Sequence, residues 1–84
     1  MPKLPRDLPG KELVKLLGKK FGYQIVREVG SHIRLSSNYA GSEHKLTIPD
    51  HKTIKIGTLN SILKDLSEYL SISKEELLYK LFKS

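Results

Sequence analysis

The sequence contains no cysteine, and this absence excludes several chemistries at once. Disulfide bonds, cysteine-bound zinc, iron–sulfur clusters and thiol catalysis all require that residue. The lack of cysteine also fits a reducing compartment, so we expect a cytoplasmic protein. The sequence also has no run of about 18 apolar residues, and no apolar signal-peptide segment follows the N-terminus. We therefore expect a soluble protein with neither a membrane span nor a secretion signal.

Acidic residues are scarce relative to basic ones. Nine Asp and Glu residues oppose 15 Lys and Arg residues, which gives a formal net charge of +6 and a pI near 9.7. The whole excess lies in residues 1–57, whereas residues 58–84 are neutral. This uneven distribution argues against a uniformly basic composition and indicates a polyanionic partner, such as nucleic acid, an acidic protein or a membrane surface.

The length and the apolar content together predict a single folded domain. The chain has 84 residues, and Leu, Ile, Val and Phe supply 26 of them, well above the proportion typical of disordered chains. We predict one domain over residues 1–84. Within it, residues 1–10 form a proline-rich extended lead-in, residues 11–70 form the core, and residues 73–82 form a short extra C-terminal helix.

The apolar periodicity predicts an α+β fold with the order α-β-β-β-α. We expect helices over residues 11–21 and from Leu59 onwards, and strands over residues 23–29, 32–36 and 44–48. Gly22 supplies a left-handed stop for the first helix. Short connections favour a three-stranded antiparallel sheet with the helices on one face, which leaves the other face to solvent or a partner.

The extra C-terminal helix begins with a capping box. Ser73 and Glu76 have the S-x-x-E spacing of that motif, and Ile72 and Leu77 occupy the matching hydrophobic-staple positions. The helix can serve dimerisation, contact with a partner or coverage of the core, and the last is the usual role of a small apolar addition.

His32 has the most specific context of the three histidines. Their spacing, with no H-x-x-x-H pair, disfavours a metal site. His32 follows the predicted Gly30-Ser31 turn and alternates with the apolar Ile33 and Leu35, so we expect its side chain on the open face of the sheet. Arg34 projects beside it, and Lys45 projects outward from the third strand. Arg27 joins them in only one of two hairpin registers.

These residue types suit cleavage of RNA. RNA supplies its own nucleophile, the ribose 2′-OH, so one histidine and a few cationic phosphate ligands suffice without a protein nucleophile or a metal. Ser31 can donate a hydrogen bond to phosphate or orient the imidazole. DNA lacks the hydroxyl, so this inventory favours RNA as the substrate.

A second basic segment leads into the helix that starts near Leu59. Lys52, Lys55, Gly57 and Thr58 can form a phosphate cradle where free backbone N–H groups begin the helix. The alternative is that Thr58 only caps that helix.

Paired motifs in residues 10–70 resemble the HicA (YcfA-like) mRNA interferase toxins. The matching residues, in order, are Gly30-Ser31-His32, Ile48-Pro49, Lys55-Ile56-Gly57-Thr58-Leu59 and Ile62-Leu63. The resemblance implies a double-stranded-RNA-binding-domain-like fold and a toxin that cleaves mRNA without metal. It also implies that His32 is the catalytic histidine. A HicB-type antitoxin is the implied partner, which binds the toxin and blocks its active site.

We therefore predict a metal-independent endoribonuclease with no cofactor and no membrane partner. His32 is the predicted catalytic residue, and the predicted RNA-binding residues are Gly30, Ser31, Arg34, Lys45, Lys52, Lys55, Gly57 and Thr58. RNA and an acidic antitoxin are the expected partners, and a homo-oligomer is also compatible with this chain. Two alternatives remain open: a non-catalytic RNA-binding module, and a DNA-binding helix-turn-helix over residues 59–82. The zero net charge of residues 58–84 disfavours the helix-turn-helix.

Overall fold

The structure is a computed structural model that describes residues 4–82. Its elements in chain order are α1 (Gly10–Phe21), β1 (Gln24–Val29), β2 (His32–Ser37), β3 (His44–Pro49), α2 (Ile56–Leu70) and α3 (Lys74–Phe82). The three strands form one antiparallel sheet in the order β1-β2-β3. The predicted α+β fold of the double-stranded-RNA-binding-domain type is confirmed, including the extra helix α3. The predictions for residues 1–3 and 83–84 lie outside the described residues.

A two-residue turn and a β-bulge set the register between β1 and β2. Val29 pairs with His32 across the Gly30-Ser31 turn, in which Gly30 has a φ of +59°, a conformation that favours glycine. The register then shifts between Ile25 and Arg27, as a β-bulge does when it inserts an extra residue into one strand. Of the two registers that the sequence allowed, the structure has the one that pairs Arg27 with Arg34.

One face of the sheet is covered by the helices, as predicted. α1 and α2 pack against β3, and α3 packs against both of those helices. Ile33 and Leu35 of β2 are 2% and 0% exposed, so their side chains point into the core between the sheet and the helices. The helices contribute a set of fully buried leucines to the same core: Leu13, Leu17, Leu59, Leu63, Leu66 and Leu77.

The C-terminal helix α3 extends this core. Leu77, Leu78 and Leu81 are buried, which agrees with the role of core coverage. The Glu76 backbone N–H donates to the Ser73 hydroxyl at 3.0 Å, so Ser73 caps the helix as the S-x-x-E spacing predicts.

The start of α2 differs from the prediction. The helix begins at Ile56, with the extended residue Lys55 as its N-cap and no side-chain capping hydrogen bond. Gly57 and Thr58 therefore lie in the first helical turn, and the alternative that Thr58 caps the helix is wrong. Apolar periodicity missed this turn because residues 56–58 are exposed to solvent and contribute nothing to the core.

The lead-in is tied to the loop between β3 and α2. The backbone N–H of Ile54 donates to the Leu8 carbonyl at 2.8 Å, and that of Gly10 donates to the His51 carbonyl at 2.9 Å. Gly10 also packs directly on β3, since a Cβ added to it would lie 2.0 Å from the Pro49 carbonyl oxygen. This close approach, which requires glycine, holds the end of β3 in place.

Strand β1 receives no comparable cover. All six of its residues are exposed, and Ile25 and Val26 are 54% and 59% exposed although they are apolar. As the edge strand beyond β2, β1 is open to solvent on both faces. Among residues 4–82, no helix is both long enough and apolar enough to cross a bilayer.

Candidate active site

A cleft of about 420 Å³ opens on the sheet face opposite the helices. Side chains from all three strands line it: Arg27, Val29, His32, Arg34 and Thr47. We call these five residues the His32 cleft. The strand pairs explain why they meet, because Arg34 lies between Arg27 on β1 and Thr47 on β3, and directly opposed residues project from the same face.

His32 lies at the end of this cleft next to the Gly30-Ser31 turn. Its strand neighbour Ile33 is buried, so the alternation along β2 turns the imidazole to the open face, as predicted. His32 pairs with Val29 on one side and with Pro49 on the other, and its side chain is exposed. Apolar neighbours on two sides leave the ring nitrogens to solvent or to a bound ligand.

Two arginines face each other beside this histidine. Arg27 and Arg34 are directly paired across β1 and β2, and they are two of the three arginines in the chain. Like charges in directly opposed positions destabilise a sheet. Within residues 4–82 the ion pairs are Lys11–Asp50, His44–Asp65 and Lys80–Glu76, so no carboxylate neutralises either guanidinium of the cleft. The arrangement is suited to an anion bound between the two arginines.

Lys45 extends the basic character of the same face. It pairs with Ser36, which lies two positions after Arg34 on β2, so its exposed side chain projects outward as predicted. The Ser36 hydroxyl donates to the Glu43 carboxylate at 2.9 Å. The open face is therefore most basic at the centre of the sheet and carries an acidic group at the end distant from His32.

The remaining predicted site residues do not all gather around His32. The Ser31 carbonyl accepts a hydrogen bond of 2.7 Å from the Asp50 N–H, which connects the turn before His32 to the following loop. Lys52 lies in another cleft of about 250 Å³, which is lined by Pro9, Lys11, Asp50, His51 and Lys52. We call these five residues the lysine cleft.

The start of α2 contributes exposed groups without joining either cleft. Lys55, Gly57 and Thr58 are all exposed, and among the described residues none of them lines the His32 cleft or the lysine cleft. The first turn of α2 carries no side-chain capping hydrogen bond. The predicted phosphate cradle is therefore a surface separate from the histidine.

His44 belongs to the scaffold. Its Nε2 donates to an Asp65 carboxylate oxygen at 3.1 Å, and its Nδ1 accepts from the Tyr23 hydroxyl at 2.6 Å. Its ring stacks on Tyr69 with 4.4 Å between the centroids. Burial raises the pKa of the Tyr23 hydroxyl, and nearby Tyr69 and Asp65 raise it further. With both nitrogens engaged and its side chain 14% exposed, His44 holds β3 against α2.

The structure also brings in groups that sequence reasoning left undecided or missed. Arg27 depended on the hairpin register, and only the β-bulge decides it. Nothing in the sequence marked Val29 as a site residue, because an apolar residue is ordinary in a strand. Thr47 was predictable as an outward-facing residue from the alternation along β3. Within the described part of the chain, no three His, Asp or Glu side chains lie close enough to hold a metal ion.

Comparison with models of protein families gives a match. A family model described as the HicA toxin of bacterial toxin–antitoxin systems matches residues 10–67, which is more than half of the chain. The match contains all of the His32 cleft and the start of α2, and it ends before α3. No curated protein and no solved structure matches the chain.

Proposed function

Because this chain belongs to the HicA toxin family of bacterial toxin–antitoxin systems, we propose that it acts by cleaving mRNA. The toxin role and the existence of an antitoxin partner follow from the family. The endoribonuclease activity, the role of His32 and the independence from metal are the proposal. One observation supports it above the others: a single exposed histidine lies beside two directly paired arginines on the open face of the sheet.

The proposed reaction uses the ribose as the nucleophile. The imidazole of His32 accepts the proton of the 2′-OH, and the 2′-oxygen then forms a bond to the adjacent phosphorus. The bond from phosphorus to the 5′-oxygen breaks, and that oxygen leaves with a proton from water. The products are a 2′,3′-cyclic phosphate and a 5′-hydroxyl end. DNA cannot follow this route because it lacks the 2′-OH.

Arg27 and Arg34 have the position to bind the reacting phosphate. The phosphate gains negative charge as the 2′-oxygen attacks. The two guanidinium groups therefore stabilise the transition state more than they stabilise the bound substrate. Ser31 and Gly30 shape the turn that presents His32 to this phosphate. Lys45 extends the same face along the strand, while Lys52, Lys55, Gly57 and Thr58 are proposed to bind phosphates elsewhere on the RNA.

The antitoxin is proposed to be an acidic protein of the HicB type that covers the same open face. An acidic surface complements the unneutralised arginines of the His32 cleft and would exclude RNA by occupying their positions. Because the proposed substrate is mRNA, the proposed site of action is the cytoplasm.

The decisive experiment incubates the purified protein with mRNA in the presence of a metal chelator. We expect His32→Ala to lower the cleavage rate by at least about 100-fold, since general acid–base catalysis contributes at least that factor. His51→Ala is the matched control, because His51 is exposed but lies in the lysine cleft. The cleaved ends should carry cyclic phosphate, and substrates with a 2′-deoxy nucleotide at the cleavage site should resist.

Cleavage by the His32→Ala protein at the rate of the unaltered protein would refute the catalytic role. RNA binding measured on the same variant separates the two readings of this surface. If both the unaltered protein and the His32→Ala variant bind RNA in a salt-sensitive manner and neither cleaves it, the protein is a non-catalytic RNA-binding module.

A further inference from the structure

A cleft of aromatic and basic character lies on the helix side of the molecule, away from the open sheet face. It has a volume of about 360 Å³ and is lined by residues from the end of α1, the loop after β2, and α3: Lys20, Phe21, Tyr39, Tyr79 and Lys80. We call these five residues the aromatic platform. It shares no residue with the His32 cleft or the lysine cleft.

Tyr39 is the most exposed ring of this platform, and a fixed turn holds it there. It is 62% exposed, so most of its side chain is accessible to a ligand. Its backbone N–H donates to the buried Ser37 hydroxyl at 3.0 Å, and the N–H of Ala40 donates to the Tyr69 hydroxyl at 2.9 Å. Because these hydrogen bonds use backbone groups, the turn is ordered before any ligand arrives, and binding loses little conformational entropy.

The ring of Tyr39 has a face available for stacking. Phe21 supports it in an edge-to-face contact, with 5.3 Å between the centroids and 85° between the planes. An edge-to-face contact covers at most one face of the Tyr39 ring. Since Phe21 itself is only 3% exposed, a planar ligand can reach the Tyr39 ring but not the ring that supports it.

Two lysines give the same cleft an affinity for anions. Lys20 is exposed at the end of α1, and Lys80 lies on α3. Lys80 contacts Glu76 at 4.0 Å, but both side chains are about half exposed, so this ion pair is weak and readily exchanged for a phosphate. Stacking aromatic rings next to lysines are the combination that binds single-stranded nucleic acid, in which bases and phosphates are both accessible. A duplex hides its base faces and does not offer this combination.

We propose that the aromatic platform binds an unpaired nucleotide of the same RNA strand that is cleaved in the His32 cleft. This proposal rests on the proposed function. Strand β2 runs from His32 towards the turn that carries Tyr39, and its six residues span roughly 17 Å. The substrate is therefore a single-stranded RNA of several nucleotides, long enough to pass from the open face around the end of the sheet.

The test measures RNA binding in the His32→Ala protein, so that cleavage does not interfere. The probe is a fluorescent 20-nucleotide oligouridine, compared with the same strand in a duplex with oligoadenine. We expect Tyr39→Leu to weaken single-strand binding about tenfold, with Tyr39→Phe restoring it, since stacking needs the ring and not the hydroxyl. Ile25→Ala, which removes an apolar side chain of similar exposure from β1, should leave the affinity unchanged.

A second variant examines the charges independently. Changing Lys20 and Lys80 together to Gln should reduce the slope of log affinity against log salt by about 1.4, since each phosphate contact on a single strand contributes about 0.7. Thermal melting of each variant confirms that it is folded before binding is compared.

The outcomes of these binding and cleavage experiments distinguish a failure of the aromatic-platform proposal from a failure of the proposed function. If Tyr39→Leu binds the single strand as tightly as its parent, or loses equal affinity for the duplex, the platform is refuted even when His32→Ala has abolished cleavage. The proposal for the aromatic platform is also refuted if Tyr39→Leu weakens the binding of an acidic protein but not the binding of single-stranded RNA. If Tyr39→Leu weakens single-strand binding while His32→Ala still cleaves, the platform is supported and the catalytic role of His32 fails.

Discussion

Replacing Arg27 with glutamine should stabilise the free protein and weaken its binding to RNA. Arg27 and Arg34 are directly paired on the outer face, with no described carboxylate in an ion pair with either of them. Directly opposed residues in an antiparallel pair have Cα atoms about 5 Å apart, and like charges there destabilise a sheet by about 0.2–1 kcal/mol. Arg27→Gln removes this repulsion and keeps a polar side chain with an aliphatic stem.

The expected gain is measurable because the chain is small. A gain of about 0.5 kcal/mol raises the melting temperature of a domain of this size by about 2–4 °C. Calorimetry at low salt gives the change directly, and the gain should shrink in 1 M salt, where the Debye length falls to about 3 Å. Lys45→Gln is the matched control, because Lys45 lies on the same face opposite the uncharged Ser36 and should give no such gain.

A double-mutant cycle tests whether the repulsion belongs to this pair. If it does, Arg27→Gln and Arg34→Gln each bring about the same gain, and the double variant gains little more than either single one. Binding to RNA should respond in the opposite direction, with each substitution lowering the affinity and the salt dependence. A lower melting temperature for Arg27→Gln at low salt, or gains that simply add in the double variant, would refute the reasoning.

Three further predictions concern the stability of the fold. Gly10→Ala should lower the free energy of unfolding by about 1–3 kcal/mol in urea titrations, because its Cβ collides with the Pro49 carbonyl. Gly57→Ala should raise the free energy of unfolding by about 0.5 kcal/mol, because nothing lies within 4 Å of the added Cβ. The raised pKa of Tyr23 means that above about pH 10 the unfolded chain loses a proton that the folded one keeps. Stability should therefore fall with pH by up to about 1.4 kcal/mol per unit there, and Tyr23→Phe should remove that slope in urea titrations at pH 9 and 11.

The apolar pattern was sufficient to predict the order of the elements and the face of the sheet that carries the site, but not the first turn of α2. The period of 3.6 in α1 and α2 and the period of 2 in β2 and β3 identify which residues are buried, and they placed His32 and Arg34 on the open face. These signals are local, because burial of one helix stripe or one strand face repeats along a short stretch of chain. Ser73 was predictable for the same reason, since a cap and its helix are adjacent in sequence.

The features that the sequence did not reveal depend on contacts between distant residues. The β-bulge in β1 is set by pairing with β2, and it alone brings Arg27 opposite Arg34. His44 joins partners that are each 21 residues away in the sequence, so no spacing rule points to them. Tyr39 lies in a polar loop with no periodicity, and its support by Phe21 exists only in the folded chain.

The uncovered strand β1 connects the stability of the protein to its proposed regulation. Because no carboxylate within residues 4–82 forms an ion pair with either of the paired arginines, a polyanion that enters the His32 cleft would relieve their repulsion and stabilise the folded state. An acidic antitoxin on this face would therefore inhibit and stabilise at once, with about 4 kcal/mol gained at a thousandfold excess over its dissociation constant. RNA would relieve the same repulsion, so RNA and the antitoxin would compete for this one pair of arginines. The direct pairing of Arg27 with Arg34 is thus better explained as a requirement of an anion-binding surface than as a defect of the fold.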